Sequence, residues 1–291
     1  YLKTNLLIGR ELTRKYPDVL TKVKQLFFHK IGGFALSQTS PIIIYVYTTL
    51  TVVALYGNYM LIVMGVQTLM TAMFNSMNAG IGNLAEGDKR KIMSVFAELF
   101  SIRFLFSCIM CFGVLMITPA FVSFWIGKKY VMDSLSLLLM TAILFVNLSR
   151  TTVDAYINAY GLFGDIWAPI VEASLNVGLS IILGYYFGLH GVLSGVLISL
   201  LLVVFCWKPY YLFRKGLDER LSIYIFMYAR HLMAALLCGV IVCLGMRYSM
   251  VQGDTTFFDG LLGILVFSIL STLTLLCVAP GMRNLMRRFI R

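Results

Sequence analysis

The chain has 291 residues, 59% of them hydrophobic and only 13% charged, with a formal net charge of +11 and a mean hydropathy of +0.86. Soluble domains carry about a quarter charged residues, so the composition excludes an ordinary soluble globule and points to the lipid bilayer. A basic excess of this size in such a chain has to be weighed first as membrane orientation, and only then as nucleic-acid binding.

Apolar runs of about 18 or more residues fall near 31–50, 58–78, 104–126, 134–153, 167–187, 191–208, 229–247 and 257–279. Eight spans with short connections predict an all-α integral membrane protein, an eight-transmembrane-helix bundle. Ahead of them, "RKYPDVLTKVKQLFFHK" places Pro17 and Asp18 where a helix can start and then mixes Leu, Val and Phe with Lys. A basic amphipathic helix on the membrane surface and a plain linker both fit residues 1–30. His29 reads as an interfacial side chain. A start at Tyr1, with neither an initiator methionine nor a signal-peptide pattern, is expected of a fragment.

In the first span Ser37, Pro41, Tyr45 and Thr48 recur at spacings of 4, 4 and 3, which is one helical face. Gln67, Thr71, Asn75 and Asn78 repeat that spacing in the second span. Such stripes serve either as hydrogen-bonding glue between helices or as the border of a hydrated path. The last two spans carry no comparable amide stripe and are expected at the periphery. The stripes therefore make Ser37, Tyr45, Thr48, Gln67, Thr71, Asn75 and Asn78 candidate substrate-binding residues.

The loop "NAGIGNLAEGDKRK" at 78–91 reads as a turn, since its glycines match no phosphate loop in order or spacing. Arg103 precedes an apolar run and is expected to snorkel to the headgroups. Trp125, Trp167 and Trp207 each stand at the end of a span, where an amphipathic ring prefers the interface. At the end of the fourth span Asn147, Thr151, Asp154 and Asn158 share a face, with Arg150 one turn before Asp154. Arg150 and Asp154 form either a surface i,i+4 pair or, with Arg150 facing a cavity, a forked donor for phosphate. In the fifth span Glu172 and Asn176 sit one turn apart. An anion near a positive helix end and a packing hydrogen bond account for them, with ion coupling through Asp154 or Glu172 as the other reading.

All six cysteines lie in apolar runs and read as small packing residues; "CIMC" at 108–111 has no second pair beside it. With an inward N-terminus, 20 of the 24 Lys and Arg fall on the cytoplasmic side and three (Lys128, Lys129, Arg247) on the other. That is the positive-inside pattern, so the charge reports orientation and lipid contact rather than nucleic acid. Both ends of the chain are then expected in the cytoplasm. No metal or cofactor motif is present, no Gly-x-Ser-x-Gly elbow, and no long outer loop that could house a catalytic domain. An integral-membrane glycan polymerase or acyltransferase is accordingly the lesser reading.

The stretch "DAYINAYGLFGDIWAPIVEASLNVGLSIILGYYFGLHGVLSGVLIS" resembles polysaccharide flippases of the multidrug/oligosaccharidyl-lipid/polysaccharide exporter superfamily. The likeness rests on Asn158–Gly161, Glu172–Asn176 and Gly188–Val192, with Gly195 and Ser199 beyond, and on "WIGKKY" at 125–130. The loop at 78–91 departs from it, lacking the proline many relatives carry. The resemblance implies the second six-helix lobe of a two-lobed exporter plus two further helices. Residues 1–30 would then be a cytoplasmic linker, 31–212 a transport lobe, and 213–291 two peripheral helices with a basic tail. It also implies a bacterial cytoplasmic-membrane location, a first lobe as partner, and passage of a polyprenyl-diphosphate-linked oligosaccharide. A drug/cation antiporter of the same superfamily is the alternative.

Overall fold

The computed structural model describes residues 21, 23–27, 39–84, 88–250 and 257–290, and among these every regular element is helical. Most of the 1–30 segment, including His29, lies outside the described residues, as does Ser37 at the start of the first expected span. The first described helix is α1, residues 39–47, which ends in a bend at Thr48. Then follow α2 (Leu50–Leu84), α3 (Lys89–Trp125), α4 (Ser134–Ser149), α5 (Thr151–Ala159) and α6 (Trp167–Ser199). The chain continues helically through Leu217 and ends in α7 (Leu221–Met250), α8 (Phe257–Val278) and α9 (Pro280–Ile290).

Six described segments are long and apolar enough to cross a membrane, which makes this a multi-pass membrane protein. They do not by themselves establish the expected count of eight. One of the six, Trp167–Leu217, is 51 residues long and is not a single rod. At Gly188 the backbone takes φ 56° and ψ −131°, a conformation open to glycine and strained for other residues, and the chain doubles back. The reversal brings Asn176 Nδ2 within 3.3 Å of Ser199 Oγ, and Ser180 Oγ within 3.3 Å of the Val192 carbonyl. The expected fifth and sixth spans are thus the two limbs of this hairpin. The first, at 31–50, is described only from Thr39 onward.

Small residues let the limbs meet. A Cβ on Gly195 would stand 2.6 Å from the Ser180 amide nitrogen, and one on Gly191 only 1.9 Å from the Leu183 carbonyl oxygen. In lipid, apolar surface gains little by leaving its solvent, so close packing and interhelical hydrogen bonds must hold helices together. Gly191, Gly195, Ser180 and Ser199 supply both.

α3 organises the rest. It starts at Lys89 behind an Asp88 cap, and Phe96, Phe100 and Phe104, spaced by four, form a buried ridge along it. Tyr224, Tyr228 and His231 of α7 meet this ridge edge-on or tilted. The His231 ring bridges the Met227 carbonyl at 2.7 Å and Ser101 Oγ of α3 at 3.0 Å, so the one buried imidazole of α7 is satisfied on both nitrogens. Gly281 presses α9 against the Ala97 carbonyl, and Arg288 reaches Glu98 at 3.2 Å.

Contacts between helix ends sort the connections onto two sides. Lys89–Asp218, Asp165–Trp207 and Glu98–Arg288 lie together on the basic side. The Met132 amide donating to the Tyr59 hydroxyl and the Asp133–His190 pair lie on the other. Asp133 caps α4 through the Ser136 amide at 3.0 Å and meets His190 Nε2 at 2.7 Å, which fastens the hairpin tip.

Two tests follow from these contacts. Partial burial raises the affinity of Asp133 for its proton, but the Ser136 amide and His190 outweigh it and pull the carboxyl down to about 2. Its contribution is therefore complete above the unfolded value of about 3.9 and is lost as pH falls towards 2. Hydrogen exchange at 188–192, corrected for intrinsic rate, should accelerate over that interval only; unchanged protection would contradict the clamp. In the seam, Gly195→Ala should cost at least the 1–3 kcal/mol typical of overpacking, because its neighbour is backbone. Gly178→Ala, with nothing within 4 Å of the new Cβ, should be neutral or gain up to about 1 kcal/mol. Thermal unfolding in detergent compares the two, and equal midpoints would refute the seam.

Candidate functional site

Polar side chains from α2 to α5 converge on a cleft of about 510 Å³. Gln67, Thr71 and Asn78 form its α2 wall, Arg103 enters from α3, and Asn147 comes from α4. The α4–α5 junction adds Arg150 and Thr151, and α5 adds Asp154 and Asn158. The α2 stripe works because offsets of 4 and 11 residues return to within about 40° of the same direction on a helix of 3.6 residues per turn. Asn75, eight residues from Gln67, is rotated by about 80°; it is exposed and outside this cleft.

Arg103 is 2% exposed, so the expectation that it snorkels is corrected. The helix begins at Lys89, not at the apolar run after 103, which sets Arg103 about four turns inside it. Its Nη1 donates to the Thr151 carbonyl at 3.0 Å, and its Nη2 to Asn78 Oδ1 at 2.8 Å and the Phe74 carbonyl at 3.4 Å. The Phe74 ring lies 5.3 Å from the guanidinium carbon. Its Nε is buried without a partner, and among the described residues no carboxylate pairs with it. One cation therefore ties α2, α3 and α5 together through neutral acceptors alone.

Asp154 is held from two sides, by Arg150 Nε at 3.2 Å and Lys208 Nζ at 3.4 Å. The i,i+4 pair expected from the sequence forms, and Arg150 also lines the cleft. Lys208 is a second partner that its distance in sequence concealed. Among the described residues lining this cleft, Arg103 and Arg150 stand against one carboxylate, Asp154, which Lys208 also reaches, so the cleft's field is positive.

A second chamber of about 250 Å³ shares Gln67, Asn147 and Arg150 with the first and runs up to the hairpin. Glu172 and Asn176 line it from α6, with Ser40 of α1 and Tyr56 of α2. Both α6 residues are buried, at 6% and 3% exposure. Asn176 donates to Ser199 across the hairpin, as its packing role requires, while its Oδ1 has no partner.

Of the candidate residues, Gln67, Thr71, Asn78, Arg150 and Asp154 meet in the first chamber, and Glu172 joins through the second. Tyr45 and Thr48 border neither chamber. Tyr45 is 59% exposed, and Thr48, at the bend that ends α1, bonds back to the Ile44 carbonyl at 2.6 Å. Their shared face is lost because α1 stops before the stripe is complete. Sequence reasoning missed Arg103 and Asn147 as lining residues and Ser40 and Tyr56 altogether. An arginine inside a long apolar stretch with no acid one turn away was the available signal for the first.

No family model, curated protein or solved structure matches this chain.

If the cleft is hydrated, single cysteines replacing Gln67, Thr71 and Asn147 should react with a charged, water-soluble thiol reagent in membranes lacking the native cysteines. Cysteines replacing Leu69 and Met73, which are exposed apolar positions of α2, should stay unreacted. Equal labelling at all five positions would mean that α2 has no wet face.

Proposed function

We propose that this chain forms part of a membrane transporter that moves a polyprenyl-diphosphate-linked oligosaccharide across the bilayer, from the cytoplasmic to the outer leaflet. The observation that carries the reading is the positive, amide-lined cleft set among helices otherwise built for lipid. Charged groups inside membrane segments are costly and mark substrate paths. Forked guanidinium donors suit phosphate oxygens, and Gln, Asn and Thr side chains both donate and accept, so they can replace water around sugar hydroxyls.

On this reading Arg103 and Arg150 hold the diphosphate, and Gln67, Thr71, Asn78, Asn147 and Asn158 guide the sugar. The lipid tail stays in the bilayer. Alternating access comes from movement against a second lobe, which exposes no backbone to lipid. The chain is then the second lobe with two added helices, α7 and α8, in a bacterial cytoplasmic membrane with its basic side inward. Asp154 already engages two cations and serves to orient Arg150 and Lys208. Glu172, buried beside Asn176, favours a second reading in which the same lobe couples ion entry to drug or cation export.

Binding separates the two. Purified protein should bind a polyprenyl-diphosphate sugar more tightly than the same lipid without its diphosphate, and a lipophilic cation poorly. Arg150→Gln is the informative variant, since Arg150 lines both chambers, is only partly buried, and leaves Asp154 paired with Lys208. Its unfolding temperature should change little while diphosphate affinity falls at least about tenfold, the 1.4 kcal/mol expected of one lost charge-assisted contact. Tight dye binding with no diphosphate preference would replace this reading with the antiporter. Formation of new glycan linkages would replace it with an enzyme.

A further inference from the structure

A second basic site lies away from the cleft, where α7 begins and α8 gives way to α9. An open groove of about 510 Å³ there is lined by Ile223, Phe226, Met227 and Arg230 of α7, Ala97 of α3, and Pro280 and Gly281 of α9, with Ser222 at its rim. From these residues we infer that the groove binds the phosphate headgroup of an anionic membrane lipid, with an acyl chain along its apolar wall. The inference needs only that these helices cross a membrane and is independent of the transport reading.

Charge bookkeeping points to an anion. The Arg230 guanidinium stacks over Phe226, 5.8 Å from the ring centre, and its Nε is buried with no hydrogen-bond partner. Arg283, on the first turn of α9, acts on it as a like charge. Among the described residues no carboxylate pairs with either. Glu98, the nearest acid along α3, is already bound by Arg288 at 3.2 Å and Ser94 at 3.0 Å. The groove also meets the N-terminal end of α9, whose dipole adds positive potential.

The walls select lipid over a free phosphate. Ile223 and Phe226 are exposed apolar side chains, and Phe226 extends the groove onto the outward face of α7. Arg230 stands about two and a half turns into α7, and α9, with arginines at 283, 287 and 288, follows directly on the end of the last spanning helix. This is the level at which a headgroup and the top of its chain lie together. Basic side chains so placed attract anionic lipid at about 1 kcal/mol each, roughly fivefold in affinity.

Native mass spectrometry of the purified full chain in neutral detergent tests the site. The protein is titrated with phosphatidylglycerol, phosphatidylcholine or inorganic phosphate at constant ionic strength. Phosphatidylglycerol should be retained in preference to phosphatidylcholine. Arg230→Gln and Arg283→Gln should each lower its retention about fivefold, while Arg214→Gln, at a basic position outside the groove, should not. Arg283 is exposed, so its variant carries the result even where Arg230→Gln fails to fold. Arg230→Lys should keep most of the preference. Equal retention of both lipids, or no response to either arginine, would overturn the inference. Displacement of the lipid by inorganic phosphate at matched concentration would make it a free-anion site and overturn the lipid assignment.

Discussion

A guanidinium can stay in the interior of this bundle only because neutral acceptors turn towards it. Arg103 spends its donors on the Thr151 and Phe74 carbonyls and on Asn78, and each partner belongs to a different helix from its own. The positions of α2 and α5 relative to α3 are therefore set by where those acceptors must stand. The α4–α5 boundary at Arg150 places Thr151 in the first turn of α5, and its carbonyl accepts from Arg103 with a second lone pair. The same break turns Arg150 into the shared wall of both chambers. The cleft is thus a consequence of how one buried charge is solvated by protein in place of water.

The hairpin answers to a different constraint. Its limbs touch backbone to backbone at Gly191 and Gly195, which leaves no room for a side chain between them and pushes Glu172 and Asn176 to the place where the limbs part. Asn176 spends its amide hydrogen on Ser199, and this locks the register of the limbs. Its side-chain oxygen is buried without a partner, and the residue lines the second chamber together with Glu172. A contact read from sequence as glue also shapes the chamber, so the structural and functional readings of Asn176 are not rivals.

What the sequence made legible follows from how local each signal is. Hydropathy located the six described segments that are long and apolar enough to cross a membrane, since it sums over many residues and tolerates errors at the ends. The face of Gln67, Thr71 and Asn78 was readable because it lies on one unbroken helix. The face of Tyr45 and Thr48 was misread because α1 ends at residue 47, and periodicity carries no direction past a helix end. Arg103 was misplaced by the same weakness in boundaries: its depth depends on where α3 starts, and the polar start of that helix hid the answer. Lys208 beside Asp154, and Arg230 beside Arg283, are pairings over 54 and 53 positions of the chain. No window along the sequence could hold either.

The two basic sites differ in the way their charge is kept in place. In the cleft, Arg150 and Lys208 share Asp154, and Arg103 leans on carbonyl dipoles and Asn78, so these cations are largely compensated within the protein. A passing ligand can then be exchanged without leaving a bare charge behind. At the α7–α9 groove no described carboxylate pairs with Arg230, and Arg283 adds a like charge. On the inference drawn for this groove, an anion from outside supplies the missing partner. On these two proposals, the first arrangement suits turnover of a transported substrate and the second suits residence of a bound lipid.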